Sequence, residues 1–155
     1  MTMSMGMDQS RREVMADAVS RVLADTYALY FKTHAYHWNV TGPRFHDLHT
    51  LFETQYNEMW TATDEIAERV RALGVKAPLS YAEMDAHAEV SSEAAKTDSN
   101  DMIADLLAGH EQVASTIRQA LEKAAENADD ATADVLTPRL TAHEKMGWML
   151  RSTLG

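Results

Sequence analysis

Apolar residues recur every three or four positions along most of this chain, which is the period of an amphipathic α-helix. The stripe is clearest in the third of four such segments, where it runs from Ile103 through Leu106 and Val113 to Leu121. The pattern predicts long helices over about residues 10–37, 46–73, 100–127 and 131–152. We therefore expect an all-α protein with a single four-helix bundle domain over residues 10–155, preceded by a disordered leader over residues 1–9.

Residues that break helices separate these segments. Gly42 and Pro43 end the first helix, and Gly74 is a candidate cap for the second. In the long connection over residues 75–98, Ser80 is a candidate N-cap for a short extra helix that ends at about Ala86. Such a crossover lets four helices pack in one bundle without simple up-down topology. Pro138 falls inside the fourth segment, so we expect it to kink that helix or to move its start to Thr137.

Composition narrows the chemistry. The 155 residues include no cysteine, which excludes disulfides, thiolate metal sites and a cysteine nucleophile. The chain has 14 Lys and Arg residues and 24 Asp and Glu residues, which gives a net charge of -10 with histidine neutral. This sign suits attraction of cations better than binding to phosphates, and seven histidines add further donor atoms for metals.

The chain contains no apolar stretch near the roughly 20 residues that span a bilayer. Residues 1–8 carry neither a basic region nor an apolar core, so we do not expect a secretory signal. A cytoplasmic protein without a membrane partner is the expectation.

Candidate metal ligands concentrate at the end of the first helix and along the second. Imidazole and carboxylate donors together suit Fe(II), Mn(II) or Zn(II). The alternative is a solvated helix face with ordinary ion pairs, because charged residues four apart are common on surface helices. The candidates are His37, His46, His49, Glu53, Asp64 and Glu68.

Helix geometry places any shared site between subunits. His49 and Asp64 are about 22 Å apart along a helix, because each residue rises 1.5 Å. One chain therefore cannot bring the pair His49 and Glu53 to the same ion as Asp64 and Glu68. At 100° per residue, however, Glu53 and Asp64 point within roughly 20° of each other. If a two-fold axis pairs this helix antiparallel with its copy, His49 and Glu53 of one chain lie beside Asp64 and Glu68 of the other.

A two-iron site inside a single four-helix bundle uses the motif Glu-x-x-His on two helices. No histidine of this chain has a glutamate three residues before it, which disfavours such a site. The residues at those positions are Phe31, His34, Pro43, His46, Met84, Leu107 and Leu140.

Several spaced motifs resemble those of the Dps family, the dodecameric mini-ferritins. The resemblance extends from about Val14 to Leu150, and Pro138 is a departure from the family pattern. The segments that carry it are His37–Phe45 (HWNVTGPRF), Leu48-His49, Phe52-Glu53, Asp64–Val70 (DEIAERV), Leu73-Gly74, Thr132–Asp134 (TAD), His143–Lys145 (HEK) and Trp148–Arg151 (WMLR).

The resemblance implies a ferritin-like fold and an iron site at two-fold interfaces of a dodecamer. His37, His49 and Glu53 correspond to ligands from one subunit, and Asp64 and Glu68 to the acidic pair from its partner. The implied activity is that of a ferroxidase, in which Fe(II) is the substrate, hydrogen peroxide the expected oxidant, and ferric mineral is stored in a hollow shell. Two alternatives stay open: a DNA-condensing stress protein with little iron oxidation, and a structural bundle whose site is empty.

The sequence also suggests roles for one tryptophan and for the remaining histidines near the site or on the apolar stripes. Trp38 either gives up an electron beside the iron or packs under the following loop. His34 is expected to be a helix-face residue rather than a support for the ligands, and His46 a surface residue. His110 and His143 lie on apolar stripes and are expected to be core histidines with satisfied hydrogen bonds.

We expect DNA binding to be weak or absent. Residues 1–9 contain no Lys or Arg and one acid, Asp8, and the chain after Arg151 is too short to form a basic tail. Twelve copies at -10 each carry about -120, which repels phosphate, most strongly at low salt.

Overall fold

A computed structural model describes residues 5–155, which form five helices and no strand. The predicted all-α architecture with a short extra helix is thus confirmed. Residues 1–4 of the predicted leader lie outside the described range, while Met7 is partly buried against the core. The helices are α1 (Gln9–Asn39), α2 (Phe45–Ala72), α3 (Tyr81–Asp85), α4 (Ser99–Glu126) and α5 (Asp130–Leu154).

Side-chain caps fix where most of these helices begin. The side chains of Asp8, Ser80, Asp98 and Asp129 each accept a hydrogen bond from a backbone N–H in the first turn that follows. Such a bond satisfies a donor that has no partner inside the helix. The predicted cap at Ser80 is confirmed, and Gly74 follows α2 with a positive φ of 89°, as a helix-ending glycine does.

The four long helices share one apolar core. α1 packs on α2 and α4, and α5 packs on α4 and α2, so two helical hairpins face each other. Phe52, Met59 and Ile66 from α2 and Ile103 and Leu106 from α4 are fully buried. Burying a side chain of this size contributes about 1.5–3 kcal/mol. The core therefore fixes the relative position of α1 and α2, on which the candidate ligands lie.

Asp25 of α1 anchors the connection between α2 and α4 from inside the bundle. Its fully buried carboxylate accepts hydrogen bonds from the backbone N–H groups of Glu89 and Val90 and from the hydroxyl of Thr116 on α4. A buried carboxylate is tolerated where hydrogen bonds replace its hydration. The crossover is thus tied to both hairpins.

The prediction that Pro138 moves the start of the last helix to Thr137 is wrong. α5 begins at Asp130 and continues through Pro138 to Leu154. Proline removes one N–H and so deprives the carbonyl of Asp134 of its helical partner. Both Asp134 and Pro138 are exposed, so water can bond that carbonyl and the helix persists.

No helix in residues 5–155 combines the length and the apolar character that crossing a membrane requires.

Candidate metal centre

His37, near the end of α1, and His49, near the start of α2, lie face to face. Their rings stack with centroids 3.7 Å apart at an interplanar angle of 15°. The turn between the helices brings them together, and Gly42 in that turn has a φ of 108°, a region that favours glycine. His37 is buried and His49 half-buried. Helical periodicity does not indicate this contact, because the two residues are twelve positions apart on different helices; the family resemblance, which implies that both are ligands from one subunit, does.

Reciprocal hydrogen bonds fix both rings. His37 Nδ1 donates to the carbonyl oxygen of His49 at 2.7 Å, and His49 Nδ1 donates to the carbonyl oxygen of His37 at 2.8 Å. A carbonyl oxygen only accepts, so each Nδ1 carries the hydrogen. Each Nε2 of the neutral rings then has a free lone pair, which is the form in which histidine binds a metal.

The three predicted carboxylate ligands lie on exposed positions of α2. Glu53, Asp64 and Glu68 all face solvent in the single chain. Among the described residues, no three His, Asp or Glu side chains form a group that could hold a metal ion. The structure thus brings His37 and His49 together, but Glu53 does not form a metal-binding group with them in the single chain, and Asp64 and Glu68 lie farther along α2.

A groove beside Asp64 separates α2 from α3. It has a volume of about 570 Å³ and is lined by Tyr27, Trp60, Asp64 and Met84, among others. Trp60 is half exposed, at 52%. Within residues 5–155, the carboxylate of Asp64 makes no ion pair, and the side chains beside it in this groove are mostly apolar or aromatic.

An aromatic group surrounds the histidine pair. His34 stacks on Tyr56 with ring centroids 3.9 Å apart. Its Nδ1 forms a hydrogen bond with the hydroxyl of Tyr30 at 2.9 Å, and the tautomer of His34 decides which of the two atoms donates. Burial, followed by the nearby His37, lowers the pKa of His34. Burial, followed by Tyr27 and Tyr56, raises the pKa of Tyr30. His34 is therefore more than a plain helix-face residue, contrary to expectation.

Trp38 extends from the same turn of α1. It is 58% exposed, and its ring lies 4.1 Å from that of His34. It is therefore not packed under the loop that follows, the alternative that the sequence left open. His46 is exposed, as predicted.

His110 of α4 and His143 of α5 are buried in the core, as predicted, but their hydrogen bonds are incomplete. Arg139 donates to Nε2 of His143 at 3.2 Å, so His143 carries its hydrogen on Nδ1 and donates it to Nδ1 of His110 at 2.9 Å. His110 then has an Nε2–H donor with no partner among the described residues. Burial lowers the pKa of His110 to about 3 and that of His143 well below its usual value.

Sequence reasoning missed the aromatic group and the ion pair of Arg139 with Glu58. Arg139 donates to both carboxylate oxygens of Glu58, at 2.6 and 2.9 Å. The spacing of the residues does indicate part of the aromatic group. Tyr30 and His34 are four residues apart on one face of α1, and Tyr56 and Trp60 are four residues apart on one face of α2. No comparable signal links Glu58 to Arg139, which are 81 positions apart.

The fold agrees with what comparison with known proteins shows. The family model for the ferritin-like domain matches residues 16–155, so the class is that of ferritin-like proteins. DNA protection during starvation protein 2 of Bacillus anthracis is 36% identical over 89% of this chain and 94% of its own length. The chain belongs to the Dps family.

Solved structures support the same assignment. The Dps protein of Vibrio cholerae O1 superposes with a TM-score of 0.93 at 28% identity and covers 99% of this chain and 97% of its own. It is described as a member of a superfamily of ferritin-like diiron-carboxylate proteins. Dps from Thermosynechococcus elongatus gives a TM-score of 0.90 at 32% identity, over 94% of this chain and 93% of its own.

Proposed function

We propose that this protein is a ferroxidase that oxidises Fe(II) at sites shared between two subunits and stores the ferric product. The observation that supports this best is the histidine pair: His37 and His49 are held with both Nε2 lone pairs free. An imidazole pair alone is an incomplete iron site, since Fe(II) also favours carboxylate oxygen.

The missing carboxylates come from a second copy of the chain. Asp64 and Glu68 are both exposed. Asp64 lines an open groove and lies within roughly 20° of the direction of Glu53 around α2. A two-fold axis across α2 brings Asp64 and Glu68 to the histidines of the partner. The complete site then contains His37, His49 and Glu53 from one subunit and Asp64 and Glu68 from the other. Three carboxylates offset the charge of bound Fe(II) ions.

In the reaction, two Fe(II) ions each give one electron to hydrogen peroxide, the oxidant that we propose. The O–O bond breaks, and with water the products are ferric oxyhydroxide and protons. Carboxylates on the path to the mineral accept those protons and attract further cations. Assembly of twelve chains into a hollow shell provides the space for the mineral, and we expect a cytoplasmic location.

Complementation between two variants tests the shared site. His49→Ala and Asp64→Ala should each lose most of the oxidation rate, because each removes a ligand. A mixed dimer contains one chain of each variant. One of its sites then combines the His49 replacement with the Asp64 replacement, whereas the other site has an intact His49 and an intact Asp64. Random co-assembly of equal amounts, which makes half of the dimers mixed, should therefore restore about a quarter of the wild-type rate.

The control is Glu65→Ala, which removes a neighbouring exposed carboxylate outside the proposed ligand set. It should oxidise Fe(II) at the wild-type rate. A wild-type rate in either ligand variant contradicts the ligand assignment, and a mixture no faster than its parents contradicts the sharing.

Light scattering should give about twelve times the chain mass of 17.3 kDa, and a monomer at micromolar concentration would contradict the shell.

The name of the Bacillus anthracis relative refers to DNA protection. For this chain we propose that protection comes from consuming Fe(II) and peroxide rather than from coating DNA. The net charge of -10 per chain supports this proposal over the DNA-condensing alternative.

A further inference from the structure

Six aromatic side chains form a continuous group that begins beside the histidine pair. We call it the aromatic relay, and its contacts are edge-to-face, tilted or stacked, with centroid distances from 3.9 to 6.5 Å. Four of the five tyrosines of the chain belong to it. Its members are Tyr27, Tyr30, His34, Tyr56, Trp60 and Tyr81.

The relay reaches the proposed iron site at one end and the surface at the other. Tyr56 lies edge-on to the ring of His37 at 5.2 Å, and Tyr30 contacts Tyr56 at 6.1 Å. From Tyr30, contacts continue to Trp60 at 5.1 Å and through Tyr27 to Tyr81. Trp60 and Tyr81 are 52% and 47% exposed. Aromatic rings in such contact allow an electron to move between them in short steps.

Tyr30 differs from Tyr27 and Tyr56 in having an imidazole nitrogen within hydrogen-bond distance of its hydroxyl. In the tautomer of His34 that carries its hydrogen on Nε2, Nδ1 accepts the hydrogen bond from this hydroxyl. Its hydroxyl lies 2.9 Å from Nδ1 of His34, and within residues 5–155 neither of the other two hydroxyls makes a side-chain hydrogen bond to a described residue. A phenol that loses an electron becomes strongly acidic, so its oxidation is easier where a base takes the proton at the same moment. The stacking of His34 on Tyr56 holds the imidazole ring in place beside the hydroxyl of Tyr30.

We propose that Tyr30 is a redox-active tyrosine that gives an electron to the proposed iron site and its phenolic proton to Nδ1 of His34. This inference rests on the proposed ferroxidase function. It applies when peroxide meets a site holding a single Fe(II), which supplies only one of the two electrons that peroxide needs.

The electrons and atoms of this step balance. Fe(II) gives one electron and becomes Fe(III), and Tyr30 gives the second through Tyr56 and becomes a neutral phenoxyl radical. The O–O bond of peroxide breaks to give two hydroxide ions, and the phenolic proton forms a new N–H bond on His34. A later Fe(II) returns one electron to Tyr30 while His34 returns the proton. No hydroxyl radical leaves the site.

The first test follows the radical by rapid freezing and electron paramagnetic resonance after peroxide is added to protein with one Fe(II) per site. The wild type should give a tyrosyl signal. Tyr30→Phe should lose it, and His34→Phe, which keeps an aromatic ring against Tyr56 but removes the acceptor, should lose it as well. The control Tyr36→Phe removes a hydroxyl that donates to Asp105 outside the relay and should keep the signal. An unchanged signal in Tyr30→Phe overturns the proposal.

A second test needs no iron. Flash oxidation of the iron-free protein with a ruthenium photosensitiser and persulfate should place the radical on Tyr30 in the wild type and in Tyr36→Phe, but not in Tyr30→Phe. If iron is oxidised normally and neither test shows a radical on Tyr30, the redox role is wrong and the ferroxidase stands. If light places the radical on Tyr30 but the protein does not oxidise Fe(II) with peroxide, the ferroxidase function fails and the redox-active tyrosine remains.

Discussion

His37 and His49 each donate a hydrogen bond from Nδ1 to the other's backbone carbonyl oxygen. The two bonds join the end of α1 to the start of α2, so the ligands and the helix junction are stabilised by the same contacts. The proposed iron site is therefore partly ordered without metal, and metal binding there would not have to supply the energy to orient these two rings.

The first prediction concerns the hydrogen on these rings. In iron-free protein at pH 8, nitrogen NMR should show Nδ1 protonated and Nε2 unprotonated on both His37 and His49. The reason is that each backbone carbonyl requires a donor. Exposed His87 serves as the control and should show the mixture typical of free imidazole. A proton on Nε2 of either ligand would contradict the arrangement.

The second prediction concerns the dependence of stability on pH. Burial holds the folded pKa of His110 at about 3 and lowers that of His143, so both stay neutral when the folded protein is acidified. The unfolded chain takes up these protons below about pH 6.5. Stability should therefore be full above pH 6.5 and fall towards pH 3, by up to about 1.4 kcal/mol per pH unit for each histidine.

Scanning calorimetry between pH 7 and pH 5 measures this loss. His110→Gln removes one of the two groups and should show a clearly smaller drop in Tm than the wild type. His87→Gln, which removes an exposed histidine, should show the wild-type drop. An equal drop in His110→Gln would show that other groups cause the acid sensitivity.

The third prediction uses two glycines inside helices. A Cβ at Gly109 would lie 2.5 Å from Cδ1 of Leu29, which is fully buried, whereas a Cβ at Gly147 would meet nothing closer than 3.5 Å. Replacing a mid-helix glycine by alanine gains about 1 kcal/mol, but overpacking a core costs about 1–3 kcal/mol. Gly147→Ala should raise Tm and Gly109→Ala should lower it. The opposite order would show that Leu29 has room to move.

The fourth prediction concerns DNA. In a gel-shift assay with linear plasmid at 50 mM salt and with chelator present, the assembled protein should not retard DNA, because its net charge repels phosphate. The same plasmid should still be protected from nicking by Fe(II) and peroxide, and this protection should be lost in His49→Ala. Retardation at sub-micromolar protein would favour the DNA-condensing alternative.

Much of the fold could be predicted because its signals are local. Helical periodicity and capping residues depend on neighbours along the chain. The predicted limits of the four long helices accordingly differ from the observed ones by one or two residues at each end. Pro138 shows where local rules stop. Whether proline breaks a helix depends on what solvates the carbonyl four residues earlier, and this is a property of the packed structure.

The site could be predicted only in part, for a similar reason. The rise along the helix from His49 to Asp64 indicates that one chain cannot bring both pairs of side chains to one ion. The assignment of these residues as iron ligands, however, came from family resemblance. The bonds between His37 and His49 depend on the turn between α1 and α2. The sequence pattern assigns no role to Tyr30, because the role proposed for it depends on a partner helix that brings Tyr56 against His34.

Asp25 has a consequence for the order in which the bundle folds. Its carboxylate bonds the connection through Glu89 and Val90 and bonds α4 through Thr116. The acceptor is buried between helices only after α1 and α4 have paired, so before that moment water competes for it. We therefore expect the connection to dock late in folding, after the two hairpins have met.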